Sequence, residues 1–369
     1  MEGLRVAIVG GSIGGLAAAN ALRRLGANVS VFERSAAPFS GRGGSIGFCH
    51  VPLWESVRGA QMLRRGAQAS RAQGAFLYGD LWRFWYNGLA PGTVRFGAEV
   101  DSLGEDPWHP HVGGDAFHLA IVADGGWSAL RPRYFDASPP AYAGYEVWRF
   151  RVERRHVPFA VEGEHYSSLG GPFFTIHLHV AADDGTDWVM GGVSVAKPES
   201  ELARKPAAEN KRNRQADDTP TELPPWFLPF YAKHFGGAAG GRVLRVMQAA
   251  AAVGKVTPQA QYEFASKRVV AGRLVLLGDA AHMASPRTAA GAHTAVLDAA
   301  ALGDAFAQVA ASQRPRSDDD DGLLKCVDEA LAAYDAPALE RAAGLYARSR
   351  QVSAPVAVQG WSYRDRDEL

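Results

Sequence analysis

The sequence predicts an α/β fold in which a Rossmann-like nucleotide-binding domain is interrupted by a mainly antiparallel β domain and is followed by a C-terminal helix. Near the start, a glycine-rich turn lies between an apolar strand and a helix-forming run. Two later apolar strands end in Asp-Gly or Gly-Asp. Residues 142–195 alternate with period two, which indicates antiparallel strands, whereas strands followed by helices favour a parallel sheet.

The first of these stretches runs from residue 4 to residue 33. Its apolar residues 6–9 predict a buried strand, and the turn GGSIGG at residues 10–15 follows. A helix is expected over residues 16–25, then a second strand that ends at Glu33. Strand, glycine turn, helix, strand and acid together form the context that makes a glycine pattern a dinucleotide fingerprint.

Each position of the turn has a physical role in that interpretation. Gly10 permits the tight turn, and Gly15 lets the helix pack closely on the strand. The amides of Ser12, Ile13 and Gly14 open the helix, where phosphates bind. Ser12 replaces the usual middle glycine but keeps a backbone amide. Glu33 is placed to accept a hydrogen bond from a ribose. The alternative is a glycine-rich turn that binds nothing.

Composition excludes several classes of partner. The chain has 39 basic and 39 acidic residues, so its formal charge is zero and does not favour nucleic acid or an anionic membrane. Its two cysteines, Cys49 and Cys326, form no metal spacing or disulfide framework. No signal peptide and no apolar run of about 20 residues is expected. These features favour a cytoplasmic protein without a metal.

Two arginines follow the first unit. Arg34 comes directly after Glu33, and Arg42 is the cation of a glycine-rich loop at residues 41–47. Such a loop is placed to lie along a bound nucleotide; the alternative is a solvated loop arginine. Residues 54–72 have roughly helical spacing, and residues 78–89 are rich in aromatic side chains.

The two later strands carry further site candidates. A buried strand over residues 117–123 ends at Asp124, and another over residues 269–277 ends at Gly278 and Asp279. Ligands of open α/β sheets bind at the carboxyl ends of the strands, so these carboxylates are expected near the glycine turn. A long Ala-rich helix is expected to residue 309, an acidic loop at 317–321 and a last helix over 323–350.

The three motifs, in this order, resemble those of the class A flavin-dependent monooxygenases, the para-hydroxybenzoate hydroxylase-like family. The stretch from residue 280 to residue 291 looks similar to the 2,6-dihydroxypyridine 3-monooxygenase-like branch. The resemblance implies a discontinuous FAD-binding domain over residues 1–75, 100–140 and 263–310. It also implies a β-sheet substrate domain and a C-terminal helical region, which we place at residues 76–99 with 141–262, and at 311–369, respectively.

The same resemblance implies the cofactors and the reaction. FAD would be bound tightly, and NADH or NADPH would bind transiently, with Asp124 serving both. Asp279 would hydrogen-bond the ribityl chain. The remaining residues expected around FAD are Gly278, Pro286, Ala290, Gly291 and Ala292. The implied reaction hydroxylates a small electron-rich aromatic or heteroaromatic substrate with molecular oxygen through a flavin C4a-hydroperoxide. The protein would be a monomer or a homodimer.

Two departures from the family pattern lie close to the expected flavin ring. Ala289 stands where many relatives have a glycine, and His293 where an asparagine is usual. We expect Arg287 to support negative charge on substrate or flavin and His293 to contact either one. The alternative is that Arg287 points to solvent and His293 caps the following helix. The general base stays open between His293, His282 and water.

Other activities on this fold remain open. An epoxidase or a ring-closing oxygenase would carry the same motifs. A flavin halogenase is disfavoured because the stretch Trp82-Arg83-Phe84-Trp85 lacks the halogenase pattern. A non-catalytic binding protein of the GDP-dissociation-inhibitor kind is disfavoured because Glu33, Asp124 and Asp279 are all present.

Overall fold

The computed structural model describes residues 1–38, 45–47, 75–157, 159, 165–167, 174–181, 186–202, 223, 225–229, 232, 238–253, 256–313 and 320–359. Arg42 and the helix expected over residues 54–72 lie outside the described residues. The described part confirms the predicted mixed α/β fold with a Rossmann-like domain and a C-terminal helix.

The strands, in chain order, are β1 Arg5–Val9, β2 Asn28–Glu33, β3 Ser45–Gly47, β4 Ala75–Leu77, β5 Val94–Phe96, β6 His111–Val112, β7 Asp115–Ala116, β8 Leu119–Val122, β9 Ala141–Glu153, β10 His165–Ser167, β11 Phe174–Ala181, β12 Asp187–Ala196, β13 Val256–Ala265, β14 Val270–Ala271, β15 Leu274–Leu276 and β16 His282–Met283. The helices are α1 Ile13–Arg23, α2 Tyr78–Tyr86, α3 Arg131–Tyr134, α4 Ala238–Ala252, α5 Gly291–Gln313 and α6 Asp320–Gln359.

The nucleotide-binding sheet has six strands in the order β14-β15-β8-β1-β2-β5, and all neighbours except β14 and β15 are parallel. Strand β5 pairs with β2 here, with Val31 opposite Val94, and α2 packs against α1. Residues 78–96 therefore lie with the nucleotide-binding sheet, although the sequence analysis placed residues 76–99 in the substrate domain. A strand of three residues such as Val94-Arg95-Phe96 carries too little sequence pattern to identify its sheet.

Helices α1 and α5 pack together beside this sheet. Ala17, Ala18 and Ala19 of α1 are fully buried because small side chains allow close contact on several sides of the helix. Gly303 of α5 approaches α1 so closely that an added Cβ would lie 3.0 Å from the Ala21 Cβ. Helix α5 is long and apolar enough to span a bilayer, but most of its apolar window is buried, as in a core helix.

The second sheet has the order β10-β11-β12-β9-β13-β16 and is antiparallel. One face of β9 contributes Trp148, Phe150 and Val152 to a core that Val246 and Met247 of α4 cover. The sequence analysis did not identify α4, whose alanines and glycines give little helical periodicity. The opposite face of β9 carries Tyr145 and Val147, which lie beside Val356 of α6.

Helix α6 contacts both sheets and α5. It begins at Asp320, inside the acidic run that was expected to be a loop. Acidic residues in the first helical turn are favourable because the helix N-terminus is the positive end of its dipole. The Asp320 carboxylate also lies 3.2 Å from His118 Nε2, next to the nucleotide-binding sheet.

Candidate functional site

A cleft of about 530 Å³ lies at the carboxyl ends of β1, β2 and β8, and residues of the β15 turn, α5 and β13 also line it. Ligands of open α/β sheets bind at this edge. The lining includes the following sequence-predicted residues: Gly10, Ser12, Ile13, Gly14, Glu33, Arg34, Asp124, Gly278, Asp279 and Ala292.

The glycine turn brings the backbone close to its neighbours. Gly10 has φ +108°, and a Cβ there would overlap the Ala123 carbonyl group. A Cβ at Gly15 would overlap the Gly10 carbonyl oxygen. The two glycines therefore allow α1 to start directly above the turn, so that the first amides of α1 open toward the cleft.

Glu33 holds the turn from the neighbouring strand. Its Oε2 accepts a hydrogen bond from the Gly11 amide and its Oε1 accepts one from the Ser35 amide, both at 2.8 Å. A carboxylate oxygen has further acceptor capacity, so a ribose hydroxyl can still bind there. Glu33 thus fixes the backbone in addition to the ligand contact expected from the sequence.

Helix α2 contributes two aromatic residues to the same turn. Trp82 Nε1 donates to the Gly11 carbonyl oxygen at 2.7 Å, and the Tyr78 hydroxyl is hydrogen-bonded to the Ser12 hydroxyl. Burial is the largest effect raising the pKa of Tyr78 above its usual value, so this phenol is neutral near pH 7. The aromatic run at residues 78–89 is visible in the sequence, but its position beside the glycine turn depends on contacts between residues more than 60 positions apart.

Asp124 follows β8, as expected, and lies at the cleft. Its Oδ2 accepts a hydrogen bond from the Ala129 amide at 2.9 Å, whereas its buried Oδ1 has no hydrogen-bond partner among the described residues. Burial raises the pKa of this carboxyl above its usual range. The Oδ1 atom is an acceptor that a ligand hydroxyl can satisfy.

A buried arginine connects the Asp124 loop to the Asp279 turn. Arg131 NH1 donates to the Gly126 carbonyl oxygen at 2.9 Å and to the Ala280 carbonyl oxygen at 3.3 Å. Its guanidinium carbon lies 4.0 Å from the centre of the Phe264 ring. Arg131 could not be predicted as a site residue from the sequence, because it acts by binding carbonyl groups and one of them, that of Ala280, is distant along the chain.

Asp279 lies on the short 3₁₀ turn Gly278–Ala280 that follows β15. Its side chain is exposed at the cleft, whereas Gly278 and Ala280 beside it are buried. Gly278 has φ +64°, a conformation that favours glycine. The turn therefore exposes the Asp279 carboxylate at the cleft, while the residues on either side of Asp279 are buried.

The loop between this turn and α5 contains the predicted catalytic residues. Arg287 and His293 are half-buried, and burial lowers the pKa of Arg287. Neither residue is among those lining the cleft described above, and neither are Pro286, Ala290 and Gly291. Ala292, one residue before His293, does line it. The catalytic assignment of Arg287 and His293 thus stays a prediction.

Ala289 holds an unusual backbone conformation in this loop. Its φ of 51° and ψ of 18° are left-handed. Among the described residues, Ala289 is the only one other than glycine that has a positive φ. Ser285 and Thr288 fix the conformation, since Thr288 Oγ1 donates to the Ser285 carbonyl oxygen at 2.8 Å. Glycine adopts this left-handed conformation without strain, which accounts for the glycine that the family resemblance leads one to expect at position 289.

Replacing Ala289 with glycine is expected to stabilise the protein. The left-handed conformation costs an alanine about 1–2 kcal/mol, and the greater freedom of glycine in the unfolded chain offsets about 0.5–1 kcal/mol of this. Urea unfolding of Ala289→Gly should therefore give a gain of about 0.5 kcal/mol. The control Ala290→Gly has no positive φ to relieve and should lose stability; a loss in both variants would contradict the prediction.

The remaining lining residues were missing from the sequence-based site. They include Tyr78, Trp82 and Phe96 from the region assigned to the wrong sheet, and Trp127 and Gln259 from the β8 loop and from β13. Trp127 makes an edge contact with Tyr262, ring centres 4.9 Å apart, next to the antiparallel sheet. The cleft therefore reaches from the glycine turn to the second sheet.

Comparisons with known proteins agree with this geometry. A family model described as "FAD binding domain" matches residues 242–321, and one described as "NAD(P)-binding Rossmann-like domain" matches residues 8–85. These ranges contain the Gly278–Asp279 turn and the glycine turn, respectively. They support the predicted cofactors, FAD and a nicotinamide dinucleotide.

Two curated proteins are similar in sequence. The 2,6-dihydroxypyridine 3-monooxygenase of Paenarthrobacter nicotinovorans is 32% identical over an alignment of 174 positions, which covers 39% of this chain and 42% of that protein. The chain thus matches less than half the length of this relative. The aurachin C monooxygenase/isomerase of Stigmatella aurantiaca is 25% identical over an alignment of 382 positions, which covers 95% of this chain and 89% of that protein.

A solved structure shares the fold over nearly the whole chain. The 2,6-dihydroxypyridine-3-hydroxylase of Arthrobacter nicotinovorans superposes with a TM-score of 0.70 at 20% identity, and the match covers 97% of this chain and 94% of the other. The sequence domains, the curated relatives and the fold are thus similar to those expected from the resemblance to class A flavin-dependent monooxygenases.

Proposed function

We propose that this protein is an FAD-dependent, NAD(P)H-consuming monooxygenase that hydroxylates a small electron-rich aromatic or heteroaromatic substrate with molecular oxygen. The observation that carries the proposal is the single cleft that joins the glycine turn, Asp124 and Asp279 at one edge of the parallel sheet. One end of this cleft reaches Gln259 of the antiparallel sheet, where a substrate can meet the cofactor.

The residues of the cleft fit FAD. Its volume of about 530 Å³ lies within the range of about 300–1,000 Å³ that is usual for ligand sites. The glycine turn leaves no side chain between the first amides of α1 and a pyrophosphate. Glu33, Asp124 and Asp279 provide carboxylate acceptors for sugar and ribityl hydroxyls, and the buried Asp124 Oδ1 has acceptor capacity left.

FAD, when bound, would supply the redox chemistry, namely hydride acceptance from the nicotinamide and activation of oxygen. The chain supplies binding and orientation. The amides of Ser12 and Ile13 hold phosphate at the α1 N-terminus. Arg131 keeps the Asp124 loop and the Asp279 turn in one fixed relation. The N-terminus of α5, which places Ala292 at the cleft, stabilises negative charge there.

We propose that Arg287 and His293 act on the substrate side of this site. A guanidinium is a permanent cation with a planar fork of donors, suited to an anionic phenolate, and an imidazole can change protonation near neutral pH. Arg287 lies beside Tyr145, whose pKa burial raises, so the phenol there is neutral.

The experiment that tests the function follows oxygen from gas to product. The purified holoenzyme, with NADH or NADPH, is supplied with phenols and hydroxypyridines under ¹⁸O₂. Substrate should accelerate NAD(P)H oxidation, and the product should carry one ¹⁸O atom by mass spectrometry. A product labelled only from H₂¹⁸O, or substrate oxidation with no oxygen incorporated, would exclude the monooxygenase assignment and favour a dehydrogenase or oxidase.

A second candidate comes from the relative whose match covers 95% of this chain, because its name combines a monooxygenase with an isomerase activity. In this protein, oxygen would enter as an epoxide and a rearrangement would follow. The same ¹⁸O products distinguish the two reactions. Hydroxylation leaves the substrate skeleton and its substituents in place, whereas epoxidation followed by rearrangement moves a substituent or a double bond.

The raised pKa of Asp124 makes FAD binding depend on pH. Burial disfavours the carboxylate in the apoprotein, and a donating FAD hydroxyl would favour it, so the pKa should fall on binding. FAD affinity should therefore increase as pH rises toward the pKa of the apoprotein and become constant above it. Fluorescence titrations across pH measure this, and the dependence should be absent in Asp124→Asn. An identical pH profile in both proteins would contradict the assignment.

A further inference from the structure

A buried carboxylate lies directly behind the Asp279 turn. Asp298 of α5 is only 2% exposed. Its Oδ2 binds His282 Nε2 at 2.6 Å and accepts the Gly278 amide at 3.3 Å, and its Oδ1 accepts Arg341 Nε at 3.0 Å. One side chain thus joins β16, the turn and the C-terminal helix α6.

The position of this carboxylate requires a reason, because Asp298 is buried among apolar residues of α5 such as Val296, Ala299 and Leu302. Burying an ionised carboxyl group is costly unless hydrogen bonds and an opposite charge compensate. Burial lowers the pKa of His282, but the adjacent Asp298 outweighs this effect and raises the pKa above its usual value. The network is therefore organised around the negative charge of Asp298.

The network reaches the cleft through the backbone. Gly278 donates its amide to Asp298, and the next residue, Asp279, exposes its carboxylate on the cleft side. Because Gly278 has a left-handed conformation and lies against Ala295, the turn has little freedom once its amide is held. The orientation of Asp279 is thereby linked to Asp298.

Helix α6 supplies the cation of the network. The Arg341 side chain is 22% exposed, so it reaches Asp298 from the surface of the domain. Its guanidinium also lies over the Tyr334 ring, with its carbon 5.5 Å from the ring centre. Both residues lie on the same face of α6. A guanidinium that stacks on an aromatic ring is already oriented for its carboxylate.

We propose that Arg341 and Asp298 are positioning residues for FAD: through the Gly278 amide, the C-terminal helix holds Asp279 in the orientation that binds the cofactor. This proposal rests on the role proposed above for Asp279. Neither positioning residue is among those lining the cleft, so both act through the turn.

The test is a titration of the apoprotein of four variants with FAD, in which flavin fluorescence measures the affinity. Asp279→Ala should weaken FAD affinity by direct loss of a ligand. Arg341→Met should weaken it about two- to thirtyfold, the range for residues that act without touching the ligand. Arg341→Lys should restore part of the loss. The double variant Asp279→Ala/Arg341→Met should bind no more weakly than Asp279→Ala, because both act at one group.

Asp328→Asn is the matched control. Asp328 also lies on α6 and also pairs with an arginine, since Arg273 donates to it at 2.8 and 2.9 Å, but this pair joins α6 to the turn between β14 and β15 and not to the Asp279 turn. The control should lower the urea midpoint and leave FAD affinity at the parental value. Asp298→Asn provides a second perturbation of the network and should weaken FAD binding as Arg341→Met does.

The outcomes separate the two proposals. Parental affinity in Arg341→Met, an additive loss in the double variant, or an equal loss in Asp328→Asn would overturn the positioning role while Asp279→Ala still weakens binding. Parental affinity in Asp279→Ala would instead overturn the cofactor role of Asp279, and the positioning role with it.

Discussion

Gly15→Ala should give a colourless, strongly destabilised protein. A Cβ at residue 15 overlaps the Gly10 carbonyl oxygen and would lie 3.3 Å from Ile8 Cγ2, so α1 has to move away from β1. Overpacking of a well-packed site costs about 1–3 kcal/mol or more, and the backbone contact here places the expected loss at about 3 kcal/mol. The same shift moves the phosphate-binding amides. Urea unfolding and the flavin absorbance of the purified variant measure the two effects.

The matched control is Gly344→Ala. Gly344 also lies inside a helix, but a Cβ there meets nothing within 4 Å. Alanine is favoured over glycine in a helix interior by about 0.8–1.0 kcal/mol, so this variant should be more stable and yellow. If Gly15→Ala retained stoichiometric FAD, the close approach of α1 to the turn would not be needed for binding.

Glu263→Ala should detach the C-terminal helix from the antiparallel sheet. Glu263 of β13 is fully buried, and its Oε1 accepts hydrogen bonds from the Ser349 and Ser353 hydroxyls, both at 2.6 Å. Its Oε2 accepts Arg350 NH1 at 3.0 Å. Removing one partner of a buried ionic network costs about 3–5 kcal/mol. Urea unfolding and limited proteolysis of α6 should report this loss.

Two further variants distinguish the contribution of the serine hydrogen bonds to stability from that of the ion pair with Arg350. Glu263→Gln keeps an oxygen acceptor for the serines and should lose about half as much stability as Glu263→Ala, by the share of hydrogen bonds retained. Arg350→Met should also be destabilising, because it leaves the fully buried Glu263 carboxylate without its cation while the two serine hydroxyls still donate to it. A larger loss in Arg350→Met than in Glu263→Ala would show that charge pairing, not the buried serines, holds the helix.

The residues that sequence analysis located share a local signal. Gly10, Gly15 and Glu33 belong to one strand–turn–helix–strand unit, and Asp124 and Asp279 each end a short apolar strand. These patterns are set by neighbours in sequence, so they can be read from it. Their meeting in one cleft follows from the rule that parallel strands bring their carboxyl ends to one edge.

The residues that it missed depend on distant contacts. Trp82 reaches the Gly11 carbonyl oxygen from 71 positions along the chain, and Arg131 reaches the Ala280 carbonyl oxygen from 149 positions. Asp298 was not predicted as a site residue, because its partners lie on β16 and α6. For the same reason, residues 94–96 of β5 were placed in the substrate domain although they pair with β2.

The order of the parallel sheet has a consequence for how the protein is made. Strand β1 lies beside β8, and β8 lies beside β15, so residues near positions 9, 122 and 276 must all be present before the sheet is complete. Helix α5, which covers α1 and closes the cleft, is made later still. At about 5–20 residues per second, a ribosome needs roughly 15–50 s between Glu33 and Asp298. The elements that line the cleft are therefore complete only after most of the chain has been synthesised.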